Sequence, residues 1–217
     1  VANNWDLYRI IIMTGSITRC TNSILRSETG KPVGVFCQSA FGLVENNVIG
    51  PNCSIGIQPY DWIDCMVVGN IVFACDKGFY SYTPACYLYN NISIGNTGPN
   101  WEAPSTMDNI KAATNNAGLS GEAWVVGSGT RITIATTDFV NYTNRDFRPA
   151  LSSSPQVDAG VEYYDIARID IAGDERPNYN NGGAEAFDVG CYEFNHGYGP
   201  HPITASLTLT GLASGTD

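Results

Sequence analysis

Apolar and polar positions recur with a fixed long period. Gly34-Val35-Phe36, Gly56-Ile57-Gln58 and Gly78-Phe79-Tyr80 open three similar stretches, 22 residues apart each time. Thirteen or fourteen residues after each glycine comes an asparagine followed by apolar, β-favouring residues. These are Asn47-Val48-Ile49, Asn70-Ile71-Val72 and Asn91-Ile92-Ser93-Ile94. Cys53 and Cys75 both lie 19 residues past their glycine, and Cys65 and Cys86 lie 9 and 8 past theirs. A period in the low twenties is the mark of a solenoid. Without a long 3.6-residue apolar stripe, each repeat reads as strands. The predicted fold is all-β, a parallel β-helix with about 22 residues per coil.

One coil cannot bury its own apolar face, so neighbours must stack. Val35, Ile57 and Phe79 are then expected to form one inward column, and Cys37, Pro59 and Ser81 the next. Asn47, Asn70 and Asn91 are expected to stack at a turn. A ligand-binding row and a structural ladder are both readings of these asparagines. Turn chemistry and the one-per-coil spacing favour the ladder.

Residues outside the regular repeats are expected to complete the coils. Ile10-Ile11-Ile12-Met13 reads as a buried strand, turned by Thr14-Gly15-Ser16. Asn22 looks like an earlier member of the asparagine series, and residues 26–32 like a loop leaving the coil. No capping element is evident at the start, so something is expected to precede or cover Val1. Regularity breaks near 99–120, which reads as an insertion, with a short helix permitted over Ser105–Ala113. Strand signal returns at Ala123–Val126 and Arg131–Ile134. Residues 1–137 are therefore assigned to the coils, 138–194 to a C-terminal cap and 195–217 to a linker and a lone strand. That strand, Ser206–Leu212, is expected to pair outside the coil stack, with another subunit or a further β module.

Outward positions hold the candidate contact surface: Phe36, Gln58 and Tyr80 in one row, Gln38, Tyr60 and Tyr82 in another. Asp61, Trp62 and Asp64 cluster beside them. Tyr60, Trp62, Tyr80 and Tyr82 suit a sugar ring or a neighbouring chain. Solvent-facing decoration is the plainer reading. Asp61 and Asp64 are the only sequence-adjacent candidates for a catalytic acid/base pair.

The chain has 217 residues and a net charge of −10, with 15% charged residues. That composition argues against nucleic acid, whose phosphates require a basic surface. No apolar run reaches the length of a membrane span. Seven cysteines leave at least one unpaired within the chain. Equivalent pairs on neighbouring coils fit either free thiols or disulfides. No CxxC and no Cys/His cluster marks a zinc site. N-x-S/T sequences occur at Asn52, Asn91 and Asn141.

Several segments then follow in a familiar order. They are Asp138-Phe139-Val140-Asn141, Asp146-Phe147-Arg148-Pro149, Ser154-Pro155-Gln156-Val157-Asp158-Ala159-Gly160, Gly173-Asp174-Glu175-Arg176-Pro177 and Phe187-Asp188-Val189-Gly190-Cys191-Tyr192-Glu193. Together they resemble the C-terminal signature of right-handed parallel β-helix proteins of the choice-of-anchor Q type. That family includes surface proteins, polysaccharide-active enzymes and phage proteins. The tail itself reads as a plug in which Arg176 bridges Asp158, Asp174 and Asp188. A calcium site is the functional reading of those aspartates, without the full loop that an EF-hand needs.

The expected function is a non-catalytic structural or adhesive element of an extracellular or virion assembly: a fibre, spike, capsid decoration or surface filament. Its partners would be other protein subunits or a polysaccharide, with no nucleic acid and no membrane insertion. The alternatives are a β-helical polysaccharide lyase or glycoside hydrolase, and a carbohydrate-binding module.

Overall fold

The computed structural model describes residues 9–28, 30–60, 65–81, 86–102, 110–121, 131–162, 169–176 and 186–194. The first fourteen strands are β1 (Arg9–Thr21), β2 (Ile24–Leu25), β3 (Val33–Glu45), β4 (Val48–Ile49), β5 (Ile55–Pro59), β6 (Cys65–Val68), β7 (Ile71–Phe73), β8 (Lys77–Tyr80), β9 (Cys86–Tyr89), β10 (Ile92–Ile94), β11 (Trp101–Glu102), β12 (Ile110–Thr114), β13 (Asn116–Leu119) and β14 (Arg131–Ile134). Every ladder among them is parallel. They form a three-faced parallel β-helix. The first face stacks the leading halves of β1 and β3 with β5, β8 and β11. The second stacks their trailing halves with β6, β9 and β12. The third runs β14-β13-β10-β7-β4-β2.

The expected inward column is present and longer than expected. Register partners run Ile11–Val35–Ile57–Phe79–Trp101. Val35 and Ile57 are fully buried, and the Phe79 and Trp101 rings stack with centroids 3.8 Å apart. Ile49 and Val72 of the third face belong to the same core cluster. These side chains explain the opening glycines. A Cβ at Gly56 would stand 2.2 Å from Val72 Cγ1 and 2.7 Å from the Gly78 carbonyl oxygen. One at Gly34 would stand 2.6 Å from Ile49 Cγ2, and one at Gly78 2.1 Å from Ser93 Oγ. The 22-residue glycine period thus records where the third face presses on the first.

The asparagine ladder is also present. Asn47, Asn70 and Asn91 are buried, and Asn116 adds a fourth rung. The Asn47 amide donates to Asn70 Oδ1 at 2.9 Å, Asn70 to Asn91 Oδ1 at 2.9 Å, and Asn91 to Asn116 Oδ1 at 3.0 Å. Each Oδ1 also accepts the backbone N–H of the rung below, at 3.0 Å. The remaining amide hydrogens go to strand carbonyls such as Cys20, Val44, Val67 and Leu88.

Four expectations are corrected. Thr14-Gly15-Ser16 does not end a strand: β1 runs through it in register with β3. Asn22 is not a ladder member, since Thr21 pairs with Glu45 and Ile24 with Val48, which puts Asn22 level with Asn46. The described parts of 99–120 belong to the coils and not to an insertion beside them. Trp101–Glu102, Ile110–Thr114 and Asn116–Leu119 continue all three faces. Ile110–Ala113 is therefore strand, not helix, because edge pairing to β9 outweighs weak helix propensity. Residues 103–109, Ala123–Val126 and Ser206–Leu212 lie outside the described residues.

The fourth correction concerns the C-terminal segment. Its described residues lie along the side of the solenoid instead of plugging its end. The third-face strands are apolar on both sides. Ile49 and Val72 face the coil interior, while Val48, Ile71, Phe73, Ile92 and Ile94 belong to a second cluster. Phe139, Phe147, Val189, Cys191 and Tyr192 complete that second cluster. Strands β15 (Phe139–Asn141) and β16 (Asp146–Pro149) form an antiparallel hairpin there, with the Phe147 ring 4.8 Å from Phe73. A sheet covered on both faces reads as a continuous apolar run, as the Val48-Ile49 and Ile71-Val72-Phe73 segments do.

Asn70→Ala removes two acceptor bonds and the donors to Val44, Val68 and Asn91. Buried groups left unpaired make a loss of about 3 kcal/mol the expected result. Urea denaturation of Asn70→Ala against wild type measures it, and a change below about 0.5 kcal/mol would refute the ladder's structural role.

Candidate functional site

The first outward row lies in register but is not open. Phe36 pairs with Ile12 and Gln58. Phe36 is 2% exposed and Gln58 is buried. The Arg9 guanidinium lies 3.5 Å over the Phe36 ring, and the Tyr60 ring is 5.0 Å from it. The expectation of an exposed Phe36/Gln58 row is therefore corrected, because neighbouring side chains fold over it. Tyr80 is half-buried under Lys77, whose Nζ is 4.5 Å from the ring and 2.5 Å from Glu102. Tyr60 is 40% exposed, and Gln38 beside it is exposed. Asp61, Trp62, Asp64 and Tyr82 lie outside the described residues.

A second outward surface was not singled out from the sequence. Leu43, Met66 and Tyr87 align across β3, β6 and β9, as do Glu45, Val68 and Tyr89. The Tyr87 and Tyr89 rings are 6.3 Å apart and nearly parallel. Burial and the neighbouring Tyr87 raise the Tyr89 hydroxyl. Phe187 of the flanking segment covers Val68, with Leu43, Met66 and Tyr89 packed around the pair. At the adjoining corner Ile17 and Phe41 are register partners, 75% and 55% exposed. The period-2 alternation in Cys65-Met66-Val67-Val68 and Cys86-Tyr87-Leu88-Tyr89 was the available signal.

The flank is anchored by a second row of turn residues. Asn22, Asn46, Gly69, Asn90 and Asn115 all have positive φ, between 50° and 61°. Each of the last four immediately precedes a ladder asparagine. The Asn115 amide donates to the Ala159 carbonyl at 2.7 Å, and that of Asn90 to Val161 at 2.9 Å. Val161 N–H returns a bond to Asn90 Oδ1 at 2.9 Å. Asn46 donates to the Ile169 carbonyl at 3.1 Å and accepts from Arg176. Gly69 leaves the room that Arg176 needs: a Cβ there would stand 3.1 Å from its guanidinium.

Arg176 is buried and central, but its partners differ from those expected. It pairs with Glu193 at 2.7 Å and donates to the carbonyls of Asp188 and Gly190 at 3.0 and 3.1 Å. No carboxylate of Asp158, Asp174 or Asp188 bridges to it in the hydrogen bonds of the described residues. Asp188 instead accepts the backbone N–H groups of Asp158 and Phe194, at 2.7 and 2.5 Å. Asp158, exposed with φ 52°, supplies that N–H. Asp174 supplies its N–H to Asp170, whose carboxylate also accepts from Ala172 and Glu193. Turn-rich backbone needs acceptors, so buried carboxylates serve the peptide groups first. Asp170 and Glu193 are the network members that charge counting over Asp158, Asp174 and Asp188 missed.

Asp188 and Glu193 are buried beside one guanidinium, with Asp170 buried against the Glu193 backbone, which leaves excess negative charge. Burial, then the Glu193 charge, push Asp188 up to about 8. Burial raises Asp170 and Glu193 as well. Among the described residues no group of three His, Cys, Asp or Glu is placed to hold a metal ion. Asn91, within one N-x-S/T sequence, is buried in the ladder, whereas Asn52 and Asn141 are exposed. All seven cysteines are buried and free. No helix among the described residues is long and apolar enough to cross a membrane. No family model, curated protein or solved structure matches the chain.

The raised Asp188 sets a pH dependence. Its folded pKa lies above its unfolded value near 4, so its contribution is full below about pH 4 and is lost as pH rises through about 8. The melting temperature should fall between pH 6 and pH 9, and Asp188→Asn should flatten that slope. An unchanged slope in Asp188→Asn would contradict the assignment.

Arg176→Met leaves Glu193 buried without its cation. A loss of about 3–5 kcal/mol is expected, read by urea denaturation. Arg176→Met with Glu193→Leu should recover much of it; no recovery would mean that the ion pair is not the source of the loss.

Proposed function

We propose that the chain is a non-catalytic structural or adhesive β-helix of an extracellular or virion assembly, such as a fibre, spike, capsid decoration or surface filament. Its outward aromatic surfaces, Tyr60 with Ile17 and Phe41 at the corner and Tyr87 with Met66 on the second face, would contact other protein subunits or a polysaccharide. One observation carries this reading: three of the four carboxylates described on the coils, Glu45, Asp76 and Glu102, are buried or held in ion pairs. Asp76 pairs with Lys31 at 2.6 Å, Glu102 pairs with Lys77, and Glu45 is buried; Glu28 stands exposed. General acid/base work needs a group free to reach the reacting atom.

The net charge of −10 favours an uncharged glycan over an anionic one. Aromatic faces on a flat sheet suit the C–H faces of sugar rings and the apolar patches of a neighbouring subunit alike. The resemblance of the tail to β-helical surface and phage proteins points the same way.

Tyr60→Ala and Tyr87→Ala should weaken self-association or neutral-glycan binding at least fivefold, with the melting temperature within about 2 °C of wild type. Sedimentation mass and a glycan array provide the readings. Cleavage of a polysaccharide by the wild-type chain, abolished by Asp61→Asn or Asp64→Asn, would overturn the reading in favour of a hydrolase or lyase.

A further inference from the structure

Among the described residues the lateral cover stops one coil short of the first coil. Asn46, Asn90 and Asn115 each donate to a flank carbonyl. Asn22 stands in the same row with φ 50°, yet it is exposed and its side chain bonds to nothing among the described residues. The outer column of the third face ends in the same way. Ile24 pairs in register with Val48, Val48 with Ile71, and Ile71 with Ile92. Val48, Ile71 and Ile92 are buried in the cluster that the flank completes, whereas Ile24 is 39% exposed. A corner amide and an apolar column therefore both end uncovered on one coil.

The flank meets that coil with an open residue of its own. Ile169, whose carbonyl Asn46 holds, is 53% exposed and bridges Glu175. One rung, about 4.8 Å, separates Asn46 from Asn22, so Asn22, Ile24 and Ile169 border one patch. Its two halves differ in charge. Residues 9–31 hold four cations, Arg9, Arg19, Arg26 and Lys31, against one carboxylate, Glu28. The described flank holds nine carboxylates against three arginines. Arg26 lies two residues past Ile24. Arg26 and Glu175 are both exposed, and neither has an ion-pair partner among the described residues. An apolar and basic half beside an apolar and acidic half is complementary to itself.

We propose that this patch docks a second copy of the chain across a two-fold axis. Ile24 of each copy packs on Ile169 of the other, Arg26 pairs with Glu175, and Asn22 donates to a carbonyl of the other flank. The contact repeats between copies what the corner row and the outer column do within one: an amide meets a carbonyl, and an apolar column takes an apolar cover. Such an interface uses the same surface on both subunits, so it closes at two copies. It rests on the reading of the chain as part of an assembly, and it names the first partner in that assembly.

Sedimentation of the full chain, up to about 100 μM, tests the proposal. Wild type is expected to dimerise, less tightly as salt is raised. Arg26→Glu and Glu175→Arg are each expected to weaken the dimer at least about tenfold, because each reversal acts at both symmetric contacts. An equimolar mixture of the two variants is expected to dimerise as wild type does, since an unlike pair restores both contacts. Both positions are exposed, so both variants should melt as wild type does. A chain that stays monomeric at every concentration would overturn the proposal. So would a dimer unmoved by either reversal, or a mixture no tighter than its parts. The two readings fail separately: a glycan-binding monomer removes the dimer alone, and a polysaccharide-cleaving dimer removes the non-catalytic reading alone.

Discussion

Paired turn residues at one corner hold this structure together. At each coil the second residue of the pair, Asn47, Asn70, Asn91 or Asn116, turns inward and bonds to the coils above and below. The first residue, Asn46, Gly69, Asn90 or Asn115, adopts positive φ; its asparagines turn outward to hold the flanking segment. A corner in a solenoid exposes peptide groups that no strand can pair. Side-chain amides supply both the donor and the acceptor, and so satisfy the corner in two directions. Asparagine also tolerates the left-handed conformation that the first position requires.

From that corner the rest follows by packing. The third face is apolar on both sides, so its outer surface must be covered. Described residues between Asp138 and Phe194 provide the cover, and their carbonyls meet the outward amides. Arg176 then locks the cover at Asn46 and Gly190, at the cost of burying Glu193 and Asp188 beside it. The electrostatics are unbalanced, so a proton on Asp188 relieves them at neutral pH. Charge here serves attachment; the groups in it spend their hydrogen bonds on the backbone.

The coil repeat was legible because identical positions must solve the same packing problem. Gly34, Gly56 and Gly78 mark one close approach, and Asn47, Asn70 and Asn91 one corner. Asn116 escaped notice because the preceding spacing stretches to 25 residues and its neighbours resemble a turn. Asn22 misleads for the reverse reason: its residue type matches the ladder while its register differs by one. The charges of the flank suggest a compact end plug. The apolar outer residues Val48, Ile71 and Ile92 call for a lateral cover, but in the sequence they look like strand core alone. Outward aromatics were only half legible, since exposure depends on what folds over them. Phe36 is hidden by Arg9 and Tyr60, whereas Tyr87 keeps part of its face open.

The described coils form a stack whose third face is covered by the flanking residues. The decisive element is the corner ladder, and native-state hydrogen exchange addresses it directly. The backbone N–H groups of Asn47, Asn70 and Asn91 donate to side-chain oxygens one coil away. They should exchange only through global unfolding, with the same opening free energy as the core amide of Phe79. Exchange at rates typical of exposed turns, with Phe79 still protected, would contradict the central role of the ladder.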